Sequence, residues 1–319
     1  MLANLKGVLT IMLLTVNVVL WFVPIFLVAV LKLIVPIPGW RSVTSRWLTW
    51  FGELWVSCNQ GILRLTQAIV WDVRGVESLE RHEWYLVISN HRSWADILIL
   101  QSMFNGHIPF LKFFIKQRLV WVPFLGLAWW AMDMPFMKRY TRGQIERDPS
   151  LRGRDLATTR RACEKFRRIP TSIINFVEGT RYTAAKHADR ASPYRHLLPP
   201  RAGGVAFVVS AMGDILHRLL DVTIVYTPAT PSLWDLCTGR VERVIVRVEE
   251  HPIEPWLIAG DYLEDPAFRQ EFQAWLSRLW SHKDAVVDSI VRERSGAGTP
   301  SGTQAPAATE GRSMDARLR

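Results

Sequence analysis

Residues 84–89 read Trp-Tyr-Leu-Val-Ile-Ser, and residues 90–96 continue Asn-His-Arg-Ser-Trp-Ala-Asp. The apolar run predicts a buried strand, and the polar residues after it predict the turn into a helix. His91 then lies at the carboxyl end of the strand, and Asp96 lies in the first turns of the helix. A carboxylate in that place can hold one imidazole nitrogen while the other takes a proton from a hydroxyl. The stretch therefore predicts a catalytic His–Asp pair on a strand-to-helix turn.

Simpler explanations exist for each residue of this stretch. A histidine after a strand is often structural, and an aspartate in a first helical turn is often only a partner of the helix dipole. Ser93 is a competing nucleophile, but it lacks the Gly-x-Ser-x-Gly elbow, and a role as helix N-cap is the preferred interpretation.

A second motif, Phe-Val-Glu-Gly-Thr-Arg at residues 176–181, also ends an apolar run. Gly179 permits a tight turn at the strand end, and Arg181 can bind a phosphate through two hydrogen bonds. Lys138 and Arg139 follow another apolar run and place basic groups at what we expect to be the same rim. The alternative for both motifs is an ordinary surface turn with solvated charges.

A third motif, Leu-Leu-Pro-Pro-Arg-Ala-Gly-Gly at residues 197–204, stands before a predicted helix. Its prolines, Pro200 among them, stiffen the chain, and its glycines admit close backbone contact. Backbone N–H groups at the helix start can stabilise an anion, whereas the alternative is a plain loop.

The rest of the body alternates between short apolar runs and helical patterns, which predicts an α/β fold. We expect a mixed, mostly parallel sheet flanked by helices, with a basic helix over 151–168 and a last helix over 266–282. Residues 295–319 are rich in Gly, Ser, Pro and Ala and predict a disordered tail.

The amino terminus contains an uncharged apolar run of 25 residues, 7–31. About 20 such residues suffice to cross a bilayer, and the run is too long for the core of a signal peptide. Pro24 leaves open a broken, re-entrant helix as the alternative to a full crossing. Three basic residues after the run predict that the body stays in the cytoplasm. We expect a membrane-anchoring helix in 1–43 and one catalytic domain in 44–294.

Composition narrows the class of partner. The 319 residues carry a formal net charge of +10, which favours anionic partners, and 15 tryptophans favour a lipid surface over nucleic acid. The three cysteines form no Cys-x-x-Cys pair, so the sequence indicates neither a metal site nor a disulfide framework.

In this order, the motifs at 90–96, 176–181 and 198–200 resemble the glycerolipid acyltransferase family, which includes 1-acyl-sn-glycerol-3-phosphate acyltransferases. The full string at 90–96 and the late Leu-Trp-Ser-His-Lys-Asp at 279–284 resemble the branch of lysocardiolipin and related lysophospholipid acyltransferases, which has bacterial members. The resemblance covers roughly residues 40–292.

This resemblance implies a role for each motif. His91 would be the general base and Asp96 its orienting partner. Arg139 would take the place of the family's second-block arginine, with Lys138 as a substitute, because the usual Gly-x-x-Phe-x-x-Arg spacing is not kept here. Pro200 would shape the site or assist use of the acyl donor. The glycerol-phosphate part of the acceptor would be bound by Glu178, Gly179, Thr180 and Arg181.

The reaction implied is transfer of an acyl group from acyl-CoA or acyl carrier protein to the sn-2 hydroxyl of a lysophospholipid, without a metal or cofactor. Lysophosphatidic acid is the default acceptor, and lysophosphatidylglycerol fits the same residues. The expected location is a membrane, the bacterial inner membrane, with the catalytic domain facing the cytoplasm. The alternatives are a serine enzyme that uses Ser93 and a non-catalytic protein that binds acidic lipid.

Overall fold

A computed structural model describes residues 1–35, 37–137, 147–148, 157 and 163–296. The strands within these ranges are β1 (Val70–Arg74), β2 (Tyr85–Ser89), β3 (Leu111–Phe113), β4 (Ile115–Lys116), β5 (Phe136–Met137), β6 (Ser172–Phe176), β7 (Arg218–Thr227) and β8 (Arg243–Pro252). The helices are α1 (Leu2–Ile34), α2 (Pro38–Thr66), α3 (Ala95–Phe104), α4 (Leu125–Ala131), α5 (Ala184–Asp189), α6 (Gly203–Met212), α7 (Leu233–Thr238), α8 (Pro255–Ala259) and α9 (Pro266–Gly296).

Six of these strands form one sheet in the order β1-β8-β7-β2-β6-β3. Only the β7–β8 pair within it is antiparallel, so the prediction of a mixed, mostly parallel sheet is confirmed. Strands β2 and β6 are parallel neighbours whose last residues, Ser89 and Phe176, are register partners. The loops that follow them therefore leave the sheet at the same edge, where ligands of open α/β sheets bind.

Helices cover both faces of the sheet, as the hydrophobic sequence of β2 requires. Side chains alternate between faces along a strand. Tyr85 and Val87 pack with apolar residues of α1–α4, whereas Leu86 and Ile88 pack with those of α6 and α9. All four are fully buried, and burying an aliphatic side chain of this size contributes roughly 1.5–3 kcal/mol.

Helix α1 lies along the body and is held near both of its ends. Near its start, the Thr10 hydroxyl accepts a hydrogen bond from Gln67 Nε2 (3.0 Å), which also donates to the Cys237 carbonyl (2.8 Å). Near its end, Lys32 pairs with Asp133 at 2.6 Å. The helix is long and apolar enough to cross a membrane, and many of its large apolar side chains are exposed.

The last helix runs further than the sequence predicts. The expected end is His282, but α9 continues to Gly296. Lys283 interrupts the apolar pattern, yet it is buried and pairs with Asp221 on β7 (Nζ to Oδ1, 2.5 Å). This ion pair lets a lysine occupy a core-facing position, so Val287 and Ile290 continue the buried face.

Three further predicted boundaries can be compared with the observed elements. Helix α2 begins at residue 38, so the expected division between residues 43 and 44 falls inside it. The expected helix over 151–168 lies largely outside the described residues, and its final part, Lys165–Arg168, is a 3-10 helix. Residues 297–319 of the expected tail also lie outside the described residues.

Candidate active site

The structure brings His91 and Asp96 into contact. His91 Nδ1 lies 2.8 Å from Asp96 Oδ2, and the Asp96 side chain is fully buried while 14% of the His91 side chain is exposed. With Nδ1 engaged, Nε2 is the ring nitrogen left for proton transfer. The pair therefore has the arrangement that general base catalysis requires.

The loop at 90–96 is folded around the Asp96 carboxylate. Oδ2 also accepts hydrogen bonds from the backbone N–H groups of Arg92 (2.7 Å) and Ser93 (3.0 Å). These bonds stabilise negative charge at the start of α3, where the helix dipole adds to the effect. The Ser93 hydroxyl accepts from the Ala95 N–H (3.0 Å), which supports its interpretation as a local cap.

The side chain of Asn90 continues the hydrogen-bonding pattern of the sheet beyond the end of β2. Its amide accepts a hydrogen bond from the Ile224 N–H (2.8 Å) and donates to the Ile224 carbonyl (2.9 Å). The side chain thus mimics a strand residue beyond the end of β2. This contact fixes the position of the following His91 relative to β7.

An aromatic floor supports the imidazole. The ring of Phe176, the last residue of β6, stacks on His91 with centroids 4.0 Å apart and an interplanar angle of 16°. Phe113 of β3 stacks next to Phe176 at 6.3 Å. Because β6 and β3 follow β2 in the sheet, their aromatic side chains lie next to the His91 imidazole.

The loop at 177–182 reaches the same rim. Gly179 has a φ of +67°, a left-handed conformation that favours glycine. The Tyr182 N–H donates to the His91 carbonyl (2.7 Å), which ties the two loops together. The exposed Arg181 guanidinium lies over the Trp94 ring at 4.9 Å, and the Thr180 hydroxyl accepts from Lys186 Nζ (2.9 Å).

Glu178 lies inside the protein rather than at the rim. It is fully buried, its Oε1 accepts a long hydrogen bond from the Leu198 N–H (3.5 Å), and the His91 backbone N–H makes a further weak contact with the carboxyl. Oε2 has no hydrogen-bond partner among the described residues. Burial raises the pKa of Glu178 to about 8, against the opposing effect of the positive charge on Arg92. This placement differs from the expected direct contact with the acceptor.

The block at 197–201 joins this loop to α9. The Arg201 N–H donates to the Val177 carbonyl (2.8 Å), and Trp280 Nε1 donates to the Leu198 carbonyl (2.9 Å). Pro200 is buried, and its carbonyl accepts from Gln273 Nε2 (3.3 Å). Pro200 therefore lies in the wall beneath the glutamate loop.

Lys138 and Arg139 lie outside the described residues. Lys112 on β3 is buried, donates to the Met132 carbonyl (3.0 Å) and lies 4.5 Å from the Phe166 ring centroid. Burial lowers the pKa of Lys112 to about 8.

Two contacts of the pair were missed from the sequence. Tyr226 donates its hydroxyl to Asp96 Oδ1 (2.6 Å), and Phe176 stacks on His91. Neither residue belongs to a spacing pattern with His91. The signal that existed was a tyrosine near the end of a predicted strand, since a buried hydroxyl needs a partner.

Within the described ranges, no group of three or more His, Cys, Asp or Glu is arranged to hold a metal ion. The thiols of Cys58, Cys163 and Cys237, all within those ranges, are free. Burial raises the pKa of Cys163 to about 12 and that of Cys237 to about 11.

Residues 70–227 match the family model described as Acyltransferase. A solved structure, the 1-acyl-sn-glycerophosphate acyltransferase PlsC from Thermotoga maritima, has a similar fold. Its TM-score is 0.51 at 15% identity, over 88% of this chain and 98% of that one.

Relatives by sequence carry a more specific name. The chain is 27% identical to 1-acyl-sn-glycerol-3-phosphate acyltransferase delta of Mus musculus, over 65% of this chain and 53% of that protein. It is 26% identical to the gamma protein of Homo sapiens, over 73% and 58%. The chain thus spans somewhat over half the length of these curated relatives.

Proposed function

We propose that this chain transfers a fatty acyl group from an acyl thioester to the sn-2 hydroxyl of lysophosphatidic acid, which yields phosphatidic acid. The observation that carries the proposal is the contact between His91 Nδ1 and the buried Asp96 carboxylate, with Arg181 at the same rim. The acceptor is proposed from the names of the relatives.

The reaction needs one base and no covalent enzyme intermediate. His91 Nε2 takes the proton of the acceptor hydroxyl as its oxygen attacks the thioester carbonyl, and Asp96 stabilises the imidazolium that forms. The tetrahedral intermediate then collapses, the carbon–sulfur bond breaks, and the imidazolium returns the proton to the departing thiolate. The Phe176 ring shields one face of the imidazole from water.

The acceptor phosphate is proposed to bind beside Arg181. Its guanidinium is exposed, and the Trp94 ring holds it above the loop that carries His91. Gly179 and Thr180 shape the turn, while the buried Glu178 supports it from inside. Lys138 and Arg139 remain candidates for a second contact with the phosphate.

The donor is proposed to be acyl-CoA or acyl carrier protein, both of which are acidic and suit a chain of net charge +10. A panel of lysophospholipids with one labelled acyl-CoA, read by lipid mass spectrometry, identifies the acceptor. Preference for lysophosphatidylglycerol would replace the proposed acceptor and keep the reaction. Binding to anionic vesicles with no acyl consumption would favour the non-catalytic alternative.

The exposed side of α1 is proposed to contact lipid. The helix is about 50 Å long and contacts the body near both ends, which supports the proposal that it lies in the membrane plane rather than across it. Exposed aromatic residues of the neighbouring segment, Trp121, Phe124 and Trp130, extend this surface, and the Phe22 and Phe124 ring centroids are 5.1 Å apart.

We place this surface on the cytoplasmic leaflet of a bacterial inner membrane, with residues 1–43 as the anchor and 44–294 as the catalytic domain. An epitope at the amino terminus tests the topology. We expect it to be accessible from the cytoplasmic side in inverted vesicles, together with the body. Accessibility from the opposite side would show that α1 crosses the membrane.

The base assignment is tested with His91→Ala in the full chain. Positioned base catalysis contributes about 10²- to 10⁴-fold, so we expect a loss of that size with unchanged membrane association. His107→Ala, which removes an exposed histidine after α3, is the control and should retain activity. Substantial turnover by purified His91→Ala would overturn the assignment.

A further inference from the structure

The second carboxylate oxygen of Asp96, Oδ1, accepts a hydrogen bond from outside the loop at 90–96. Tyr226 on β7 donates its hydroxyl to Asp96 Oδ1 at 2.6 Å, and the tyrosine is fully buried. Oδ2 meanwhile receives the His91 ring and two backbone N–H groups. The Asp96 carboxylate is therefore held from two sides, by its own loop and by a neighbouring strand.

The position of Tyr226 follows from the sheet. Strand β7 runs parallel to β2 but extends past its end, since Ser89 pairs with Val222 and β7 continues to Thr227. The Asn90 side chain clamps Ile224 through two hydrogen bonds. Tyr226, two residues on, faces the same side, and both residues belong to the apolar cluster that contains Ala95 and Ile99 of α3. The phenol is thereby placed directly against the carboxylate.

We propose that Tyr226 is a positioning residue for the His91–Asp96 pair, whose hydroxyl holds the Asp96 carboxylate in the rotamer that directs His91 Nε2 toward the acceptor. The inference deepens the proposed function and rests on it. The Tyr226 hydroxyl contacts Asp96 and is not among the groups proposed to bind the substrate, so its effect is exerted through Asp96.

The phenol is a constant donor. Burial, then the negative charge of Asp96, raise the pKa of Tyr226 well above its ordinary value, so the hydroxyl keeps its proton at every pH at which the reaction is measured. The hydroxyl also draws charge from the carboxylate. Without it, Asp96 would bind the His91 proton more strongly and favour the imidazolium.

Other charged groups surround the pair. Arg92 and Glu178 interact electrostatically with Asp96, and Arg181 lies over Trp94 within the same loop. Tyr182 stacks under Arg92 with its ring centroid 4.4 Å from the guanidinium carbon. From α9, Arg294 Nη1 donates to the Tyr226 backbone carbonyl (3.3 Å), a contact that substitution of the tyrosine by phenylalanine retains.

The experiment compares Tyr226→Phe with Tyr85→Phe in the full chain. Tyr85 is also fully buried on a central strand, and its hydroxyl accepts one hydrogen bond from the Glu80 N–H (2.9 Å). Both variants lose one buried hydroxyl, but only one of these hydroxyls contacts Asp96. Any general loss of stability should therefore be common to the two.

For Tyr226→Phe we expect kcat to fall about 10-fold with an unchanged acceptor KM, because a hydrogen bond to a charged group is lost. The acid limb of the pH–rate profile should move up by about half a pH unit or more. Tyr85→Phe should keep the kcat and profile of the parent. Equal behaviour of the two variants would overturn the proposal.

A second readout does not depend on turnover. In ¹⁵N-histidine-labelled protein, with the His91 resonances identified by His91→Gln, we expect Tyr226→Phe to shift the His91 titration midpoint upward, and Tyr85→Phe to leave it unchanged. A shift in protein that shows no acyl transfer would support the positioning role and reject the proposed reaction. An unshifted midpoint would reject the positioning role whatever the activity.

Discussion

The loops at 90–96 and 177–182 leave the same edge of the sheet, and each contains a fully buried carboxylate. Asp96 receives four hydrogen bonds, from His91, from the Arg92 and Ser93 backbone and from Tyr226, an arrangement that suits a negative charge. Among the described residues, Glu178 accepts a long bond from the Leu198 N–H (3.5 Å) and a weak contact from the His91 backbone N–H, and burial raises its pKa to about 8. Both carboxylates are equally buried, so the number of hydrogen-bond donors around each one, rather than its burial, determines whether it is stable as an anion.

The largest expected effect comes from Asp96→Asn. The amide cannot hold Nδ1–H and also accept from the backbone and Tyr226, so we expect activity to fall about 10²- to 10⁴-fold in a lipid product assay. Asp288→Asn is the control, because Asp288 also pairs with a histidine, His196 (3.0 Å), outside the site. Equal losses in the two variants would remove the distinction between Asp96 and any other His–Asp pair.

Arg181→Ala tests whether the loop at 177–182 binds the acceptor phosphate. Loss of hydrogen bonds to a charged phosphate costs roughly 1.5–3 kcal/mol, so we expect the acceptor KM to rise about 10- to 100-fold with a smaller change in kcat. Arg240→Ala removes the same charge at a surface pair with Asp235 and should leave KM unchanged. An unaltered acceptor KM in Arg181→Ala would count against the phosphate site.

Glu178→Gln sharpens the comparison through pH. Folding raises the pKa of this carboxyl from 4.5 to about 8, so the folded state holds a proton that the unfolded state has released between these values. The parent should therefore lose stability as pH rises through this window, by roughly 1.4 kcal/mol per pH unit at most.

In Glu178→Gln this part of the pH dependence should disappear, as measured by thermal unfolding between pH 5 and 9. Glu271→Gln, at an exposed position on α9, should keep the parent's slope. The idea of a buried neutral Glu178 would be abandoned if the Glu178→Gln protein followed the parent at every pH.

The smallest expected effect belongs to Ser93→Ala. The hydroxyl is buried and caps the Ala95 N–H, so its loss should cost about 1 kcal/mol of stability and leave most of the activity. Single-turnover assays with labelled thioester should trap no acyl-enzyme. A trapped ester in the parent that is absent from Ser93→Ala would move the chemistry from His91 to this serine.

Local sequence patterns were enough to predict the features that depend on a single strand and the turn after it. The β2 strand and the contact between His91 and Asp96 follow from one apolar run and one spacing, because strand and helix geometry set both. The meeting of this loop with the one after β6 was expected because parallel neighbours end at one edge, although their adjacency had to be assumed.

Contacts between residues that are distant in the sequence depend on the order of strands in the sheet, which could not be predicted. Tyr226 lies 130 positions from Asp96, and only the β7–β2 pairing joins them. The predicted end of the last helix at residue 282 falls short of Gly296, because the partner that lets Lys283 be buried, Asp221, lies on another element. Glu178 in the motif at 176–181 suggested a contact with the ligand. Its burial depends on the block at 197–201, which packs over it.

The inner face of α1 completes the hydrophobic core. Ile25, Val28 and Ala29 are buried with residues of the sheet, and Asn17 donates to Asn59 Oδ1 (2.8 Å) and the Trp55 carbonyl (3.2 Å) on α2. Truncating this helix would therefore uncover one side of the hydrophobic core. We expect the body to stay folded only while residues 1–34 remain attached to it.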